Sequence, residues 1–215
     1  MHKKILSFAV ATLLSSHVHA EMTHIDSVNA GKQKSISCIS CHGEHGNSTM
    51  VMFPKLAQQN TGYIVNQLKA FKDGTRKDPM MATIAMSLTD NDMVDIANYY
   101  AEQKIAGEHE DVLDSAEERA EHDEMVKLGG DLYRNGDLKR EVSACIACHG
   151  PHGEGNQPAS FPQLRWQHKD YLIKALTDFK SGKRSNTNEN MMHMIAVKMT
   201  DAEIKAVATR IATMK

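Results

Sequence analysis

Cys38-Ile39-Ser40-Cys41-His42 and Cys145-Ile146-Ala147-Cys148-His149 are the two stretches from which this 215-residue chain is read, and together they use all 4 of its cysteines. Two thiols three positions apart, followed at once by an imidazole, are the pattern by which haem is attached covalently. Each thiol forms a thioether with a vinyl group and the histidine reaches the iron. Cys38, Cys41, Cys145 and Cys148 are therefore the expected attachment points of two c-type haems, and His42 and His149 the expected proximal ligands. Structural zinc or thiol redox chemistry would leave the histidine after each pair unexplained, and no βαβ pattern surrounds either pair.

The chain repeats itself outward from these motifs. Phe53-Pro54-Lys55-Leu56 returns as Phe161-Pro162-Gln163-Leu164, and Gln59, Tyr63, Leu68, Phe71, Gly74 and Arg76 return as Gln167, Tyr171, Leu176, Phe179, Gly182 and Arg184. The offset is 107 residues at the cysteines, 108 through this stretch and 111 at Met80-Met81, which match Met191-Met192. The gains fall in polar segments, where loops tolerate insertion. So long a period indicates a duplicated domain and not a solenoid.

Helical periodicity runs through both halves. Ile64, Leu68 and Phe71, and again Leu172, Leu176 and Phe179, mark one helix face that ends at Gly74 or Gly182 in the C′ position. Thr89 to Asp92 and Thr200 to Glu203 read as capping boxes opening the last helix of each half, and Ser115 to Glu118 as another. Nothing alternates with period two, so the fold class is all-α in two domains. Expected bounds are 21–105 for the first, an acidic linker over 106–118 carrying Glu108, Glu110, Asp111, Asp114, Glu117 and Glu118, and 119–215 for the second.

A sixth iron ligand must come from elsewhere. Of the 14 methionines, those after the attachment motifs with methionine counterparts in the other half are Met80 and Met81, against Met191 and Met192. Both pairs are expected in the loop before the last helix, one member ligating and its neighbour packing. The repeat alone does not choose between neighbours. His193 is the rival donor at the second site, although the first half has no histidine there. His45 and His152 lie too close to the proximal histidines to swing to the opposite face, and His168, opposite Asn60, reads as surface. A thioether ligand raises the reduction potential, and a filled sixth position suits a carrier better than a catalyst. Pro54 and Pro162 are candidates for the carbonyl that accepts the other N–H of each ligating histidine.

The first 20 residues read as a cleaved signal peptide: Lys3 and Lys4, an apolar run from Ile5 to Leu14 too short to span a bilayer, and a small-residue site ending at Ala20. The expected compartment is the periplasm. Aromatic residues make up only 5% of the chain. Each half, roughly a hundred residues, is marginal as a folding unit alone and gains from the apolar bulk of a haem. The first half and linker are acidic and the second half mildly basic, a dipole able to orient the protein on partners. No nucleic-acid partner is indicated.

In the paired attachment segments, the Phe-Pro-x-Leu repeats, the Gly-x-Arg ends at Gly74 and Gly182, and the Thr-Asp segments after Met81 and Met192, the chain resembles the cytochrome c4 family over nearly all of its mature length. The resemblance implies two tandem class I cytochrome c-like domains, each wrapped around a covalent haem. It selects the second methionine of each pair, Met81 and Met192, as ligands opposite His42 and His149. It also implies an electron carrier without substrate turnover. The expected partners are a membrane-bound quinol-oxidising complex and a terminal oxidase, with any membrane association made through them. The rival readings are a diheme peroxidase, which needs an iron that can open its sixth site beside acid–base groups, and the cytochrome subunit of a sulfur-oxidising dehydrogenase.

Overall fold

Three short polar sequences decide where helices begin. Thr89, Ser115 and Thr200 each accept a hydrogen bond from the backbone N–H three residues on, and the carboxylates of Asp92, Glu118 and Glu203 accept the return bond from the cap residue's own N–H. Each exchange satisfies two donors that a helix start leaves unpaired. In this computed structural model, which describes residues 24–107 and 113–214, the caps open α5 (Asp90–Ala101), α6 (Ala116–Asn135) and α10 (Asp201–Ala212). The expected signal segment and the centre of the acidic linker lie outside the described residues.

The first half runs α1 (24–34), a 3-10 turn over Ser35–Cys38, α2 (Ile39–His42), α3 (Thr61–Lys72), α4 (Pro79–Met86) and α5. The second runs α6, α7 (Ile146–His149), α8 (Lys169–Lys180), α9 (Met191–Ala196) and α10. Among the described residues the extended pairings are two isolated bridges, Asp137–Val142 and Asn156–Phe161, so the architecture is all-α in tandem halves. Helices α3 and α8 stop as expected: Gly74 and Gly182 follow them with φ of 79° and 75°, which a residue without Cβ adopts without strain.

One expectation fails. The methionine pairs do not sit in loops but in α4 and α9. Asp78 caps α4 by accepting from the Met81 N–H, and Pro79 takes the first helical position, where its missing N–H costs nothing. Helices this short carry too little periodicity to stand out in sequence.

Two glycines set how the terminal helices cross. A Cβ on Gly31 would lie 1.9 Å from the Asp95 carbonyl oxygen, and one on Gly129 would lie 2.0 Å from that of Ala206. Thus α1 lies against α5, and α6 against α10, at backbone contact. Beneath the first crossing pack Ile64, Leu68, Met93, Ile96 and Tyr100; beneath the second pack Leu132, Tyr133, Leu172, Ile204, Val207 and Ile211. Gly129→Ala is therefore expected to cost about 2–3 kcal/mol of stability, read as a lower denaturation midpoint. Gly130→Ala is its control. A Cβ there would meet only the flexible end of Arg134, at 3.4 Å, so that variant should be neutral or slightly stabilising.

The halves meet through reciprocal contacts, as if related by a twofold axis. Gln59 Nε2 donates to the Gln163 carbonyl (2.9 Å) and Gln59 Oε1 accepts from the Gln163 N–H (2.8 Å). Its repeat partner Gln167 does the same to Lys55, donating to the carbonyl (2.9 Å) and accepting from the N–H (2.9 Å). Asn60 Nδ2 donates to the Asn156 carbonyl, and its counterpart His168 places Nε2 3.0 Å from the Ser48 carbonyl. Arg76 donates to the Tyr171 hydroxyl, and Arg184 to that of Tyr63. His168 is therefore not surface: it is 4% exposed, covered by the opposite half.

Candidate functional site

Each attachment motif folds as one short helical turn, α2 or α7, which places the histidine at its end. The glycine that follows, Gly43 or Gly150, turns the chain away with φ of 77° or 78°. Both histidines are buried. His42 Nδ1 lies 2.8 Å from the Pro54 carbonyl oxygen and His149 Nδ1 3.0 Å from that of Pro162. A carbonyl can only accept, so Nδ1 carries the proton and Nε2 keeps its lone pair, the form that binds a metal. Burial lowers the pKa of both rings, against the pull of the carbonyl, which keeps them neutral. Phe53 and Phe161 stand edge-on or tilted to the two rings, with centroids 6.3 and 6.5 Å away.

All four cysteines are half-buried, and no disulfide joins them. Cys38 packs against the first core cluster and Cys145 against the second. Burial pushes the Cys38 thiol up and the Cys145 thiol up to about 11, so neither resembles an activated thiolate. Tyr100 is fully buried beside Cys38, and Tyr133 ties the turn after His149 by donating to the Gly150 carbonyl (2.7 Å).

Met81 is half-buried against the first core cluster, whereas its neighbour Met80 is 53% exposed. Met191 and Met192 are both half-buried, and the Met192 N–H reaches the Thr187 hydroxyl. His193 Nδ1 lies 2.7 Å from the Phe179 carbonyl, tying its ring to the last turn of α8. His45 Nδ1 meets the Tyr99 hydroxyl, and His152 lies on the exposed turn beyond Gly150. The donor set fits c-type haem in each half: two thiols on one turn, a neutral imidazole with a free Nε2, and a thioether within the same domain. Among the described residues no cluster of acidic, histidine and cysteine side chains forms a separate metal site.

Glutamine, tyrosine and arginine at the interface carried a sequence signal that polarity obscured. Gln59, Tyr63 and Arg76 all repeat in the second half, although their residue types suit an exposed surface. In Gln59, Tyr63 and Arg76, and in their counterparts Gln167, Tyr171 and Arg184, the polar residues kept in both copies are ones each copy presents to the other.

A family model described as cytochrome c matches the chain twice, over residues 28–103 and 126–215. The cytochrome c4 of Azotobacter vinelandii is 34% identical over 221 residues, covering 98% of both chains. A thiosulfate dehydrogenase electron acceptor from Thiomonas intermedia is 33% identical over 180 residues, covering 83% of this chain and 79% of that one. The crystal structure of reduced recombinant cytochrome c4 from Pseudomonas stutzeri superposes with a TM-score of 0.79 at 35% identity, covering 87% of this chain and 98% of that one.

Proposed function

This chain belongs to the cytochrome c family, in its diheme cytochrome c4 branch, and on that premise we propose that it carries single electrons in the periplasm from a membrane-bound quinol-oxidising complex towards a terminal oxidase. Two covalently bound c-type haems and electron transfer follow from the family itself. Each haem iron supplies a one-electron ferric–ferrous couple. Export through residues 1–20, and the division into domains 21–105 and 119–215 about an acidic linker, belong to the same proposal.

In this reading His42 and His149 would hold each haem iron through Nε2, Met81 and Met192 would supply the thioether ligands, and Cys38, Cys41, Cys145 and Cys148 would attach the porphyrins. The observation that carries it is the pair of Nδ1 hydrogen bonds to Pro54 and Pro162, which orient both imidazoles and set their tautomer. Thioether sulfur favours the reduced iron, and a filled coordination sphere leaves no place for a substrate. No substrate is then transformed.

The test uses holoprotein added to cytochrome-depleted membranes. Quinol should reduce it, and its presence should restore oxygen uptake. The similarity to a thiosulfate dehydrogenase electron acceptor favours a second donor, a sulfur-compound dehydrogenase. Reduction by such an enzyme and not by the quinol-oxidising complex would replace the first donor with the second. Peroxide turnover by the half-reduced protein would overturn the carrier reading altogether.

A further inference from the structure

Two peptide groups join the halves to the histidines. The Pro54 carbonyl that accepts from His42 and the Lys55 N–H that donates to Gln167 are opposite ends of one peptide unit. The Pro162 carbonyl that accepts from His149 and the Gln163 N–H that donates to Gln59 are opposite ends of another. The contact therefore runs imidazole, peptide, glutamine in each case, and the glutamine always belongs to the other domain. All four glutamine and lysine residues are buried, so water does not compete for these bonds. Gln167 Oε1 also accepts from the His168 N–H, and Gln59 Oε1 from the Asn60 N–H, which holds each oxygen in place.

A peptide unit is a conjugated system, and hydrogen bonds at its two ends polarise one another. An acceptor on the N–H moves electron density to the carbonyl oxygen. The carbonyl then draws harder on the histidine Nδ1 proton and makes Nε2 the better donor to iron. A stronger imidazole donor favours ferric over ferrous iron. We propose, on the axial roles assigned to His42 and His149, that Gln167 and Gln59 are positioning residues for the histidines of the opposite domains. Each sets the reduction potential of the haem in the domain to which it does not belong.

The chain of bonds makes a crossed prediction. In holoprotein carrying Gln167→Met, the ferrous-to-ferric ratio of the His42 haem at fixed applied potential should rise about threefold, within the net worth of one hydrogen bond. That corresponds to ~28 mV at 59 mV per tenfold for one electron. The His149 haem should stay within a small fraction of that change. Gln59→Met should do the reverse. In the ferrous state the proton resonance of the affected histidine Nδ1–H should move upfield, reporting a weaker bond. Gln167→Glu and Gln59→Glu keep an acceptor oxygen, now the stronger one of a carboxylate, and should bring the affected potential below the parent value. If neither methionine variant retains both haems, the glutamate variants decide, through a downward shift confined to the haem of the opposite domain.

Equal movement of both haems, movement of the same-domain haem, or no movement would overturn the inference. Axial assignment is checked separately on the parent protein. If its spectra show two low-spin centres but the variants give no crossing, only the role of the glutamines fails. If the parent lacks histidine ligation, the assignment of His42 and His149 fails.

Discussion

Replacing Met192 with alanine is expected to lower the reduction potential of the C-terminal haem by a few tenths of a volt, within the roughly 0.8 V over which axial ligands spread haem potentials. It should also remove half of the weak red-edge absorption that reports sulfur bound to ferric iron. Soft sulfur stabilises the reduced metal, so its loss favours the oxidised form. Met81→Ala should do the same at the N-terminal haem. Met80→Ala is the informative control: that side chain is largely solvent-exposed at the start of α4, whereas Met81 lies against the core that also receives Cys38. Met191→Ala plays the same part in the second half. If Met191→Ala or Met80→Ala, and not its neighbour, abolished half the band, the ligand choice would move one residue along the chain. A band untouched by Met192→Ala but altered by His193→Ala would give the second site to the histidine.

Removing both attachment thiols of the first half, Cys38→Ala with Cys41→Ala, should leave a protein with one haem whose N-terminal half does not fold. Its mass should fall by one porphyrin, its helical signal by roughly the share of α1 to α5, and its first half should become sensitive to protease. The reason is the size of the core. Buried apolar side chains in this half amount to a small cluster around Ile64, Leu68, Ile96 and Tyr100, while Ile36, Ile39, Met50, Val51, Met52 and Met86 stay exposed. A domain of this length is marginal on side chains alone. The loss should reach the second half as well, because Lys55 and Gln59 supply much of the interface. Full helicity in the one-haem variant would contradict this.

Much of this molecule was legible in its sequence for physical reasons. The attachment motifs are short, chemically demanding and repeated, so chance does not imitate them. The capping boxes at Thr89, Ser115 and Thr200 formed as written, because a cap is a local exchange of hydrogen bonds needing no tertiary partner. The Pro54 and Pro162 carbonyls were identifiable because each lies in a repeated segment a short distance after its histidine. What escaped was non-local. His168 read as surface because a histidine aligned with an asparagine suggests no burial, yet both bond to backbone of the other half. Gly31 and Gly129 gave no sign of the helix crossings they permit, since close approach depends on where a distant helix lies. The helical setting of the methionines was hidden in segments too short for periodicity to show.

Electron carriage by this chain requires above all two irons per chain, each held between an imidazole and a thioether. An anaerobic redox titration of the purified holoprotein, followed by its optical spectrum and scaled to haem content, tests this directly. It should show two one-electron steps per polypeptide, low-spin spectra in both oxidation states, and a red-edge band whose strength corresponds to two sulfur-ligated irons. A single step of one electron per chain, or oxidised spectra without that band, would contradict it.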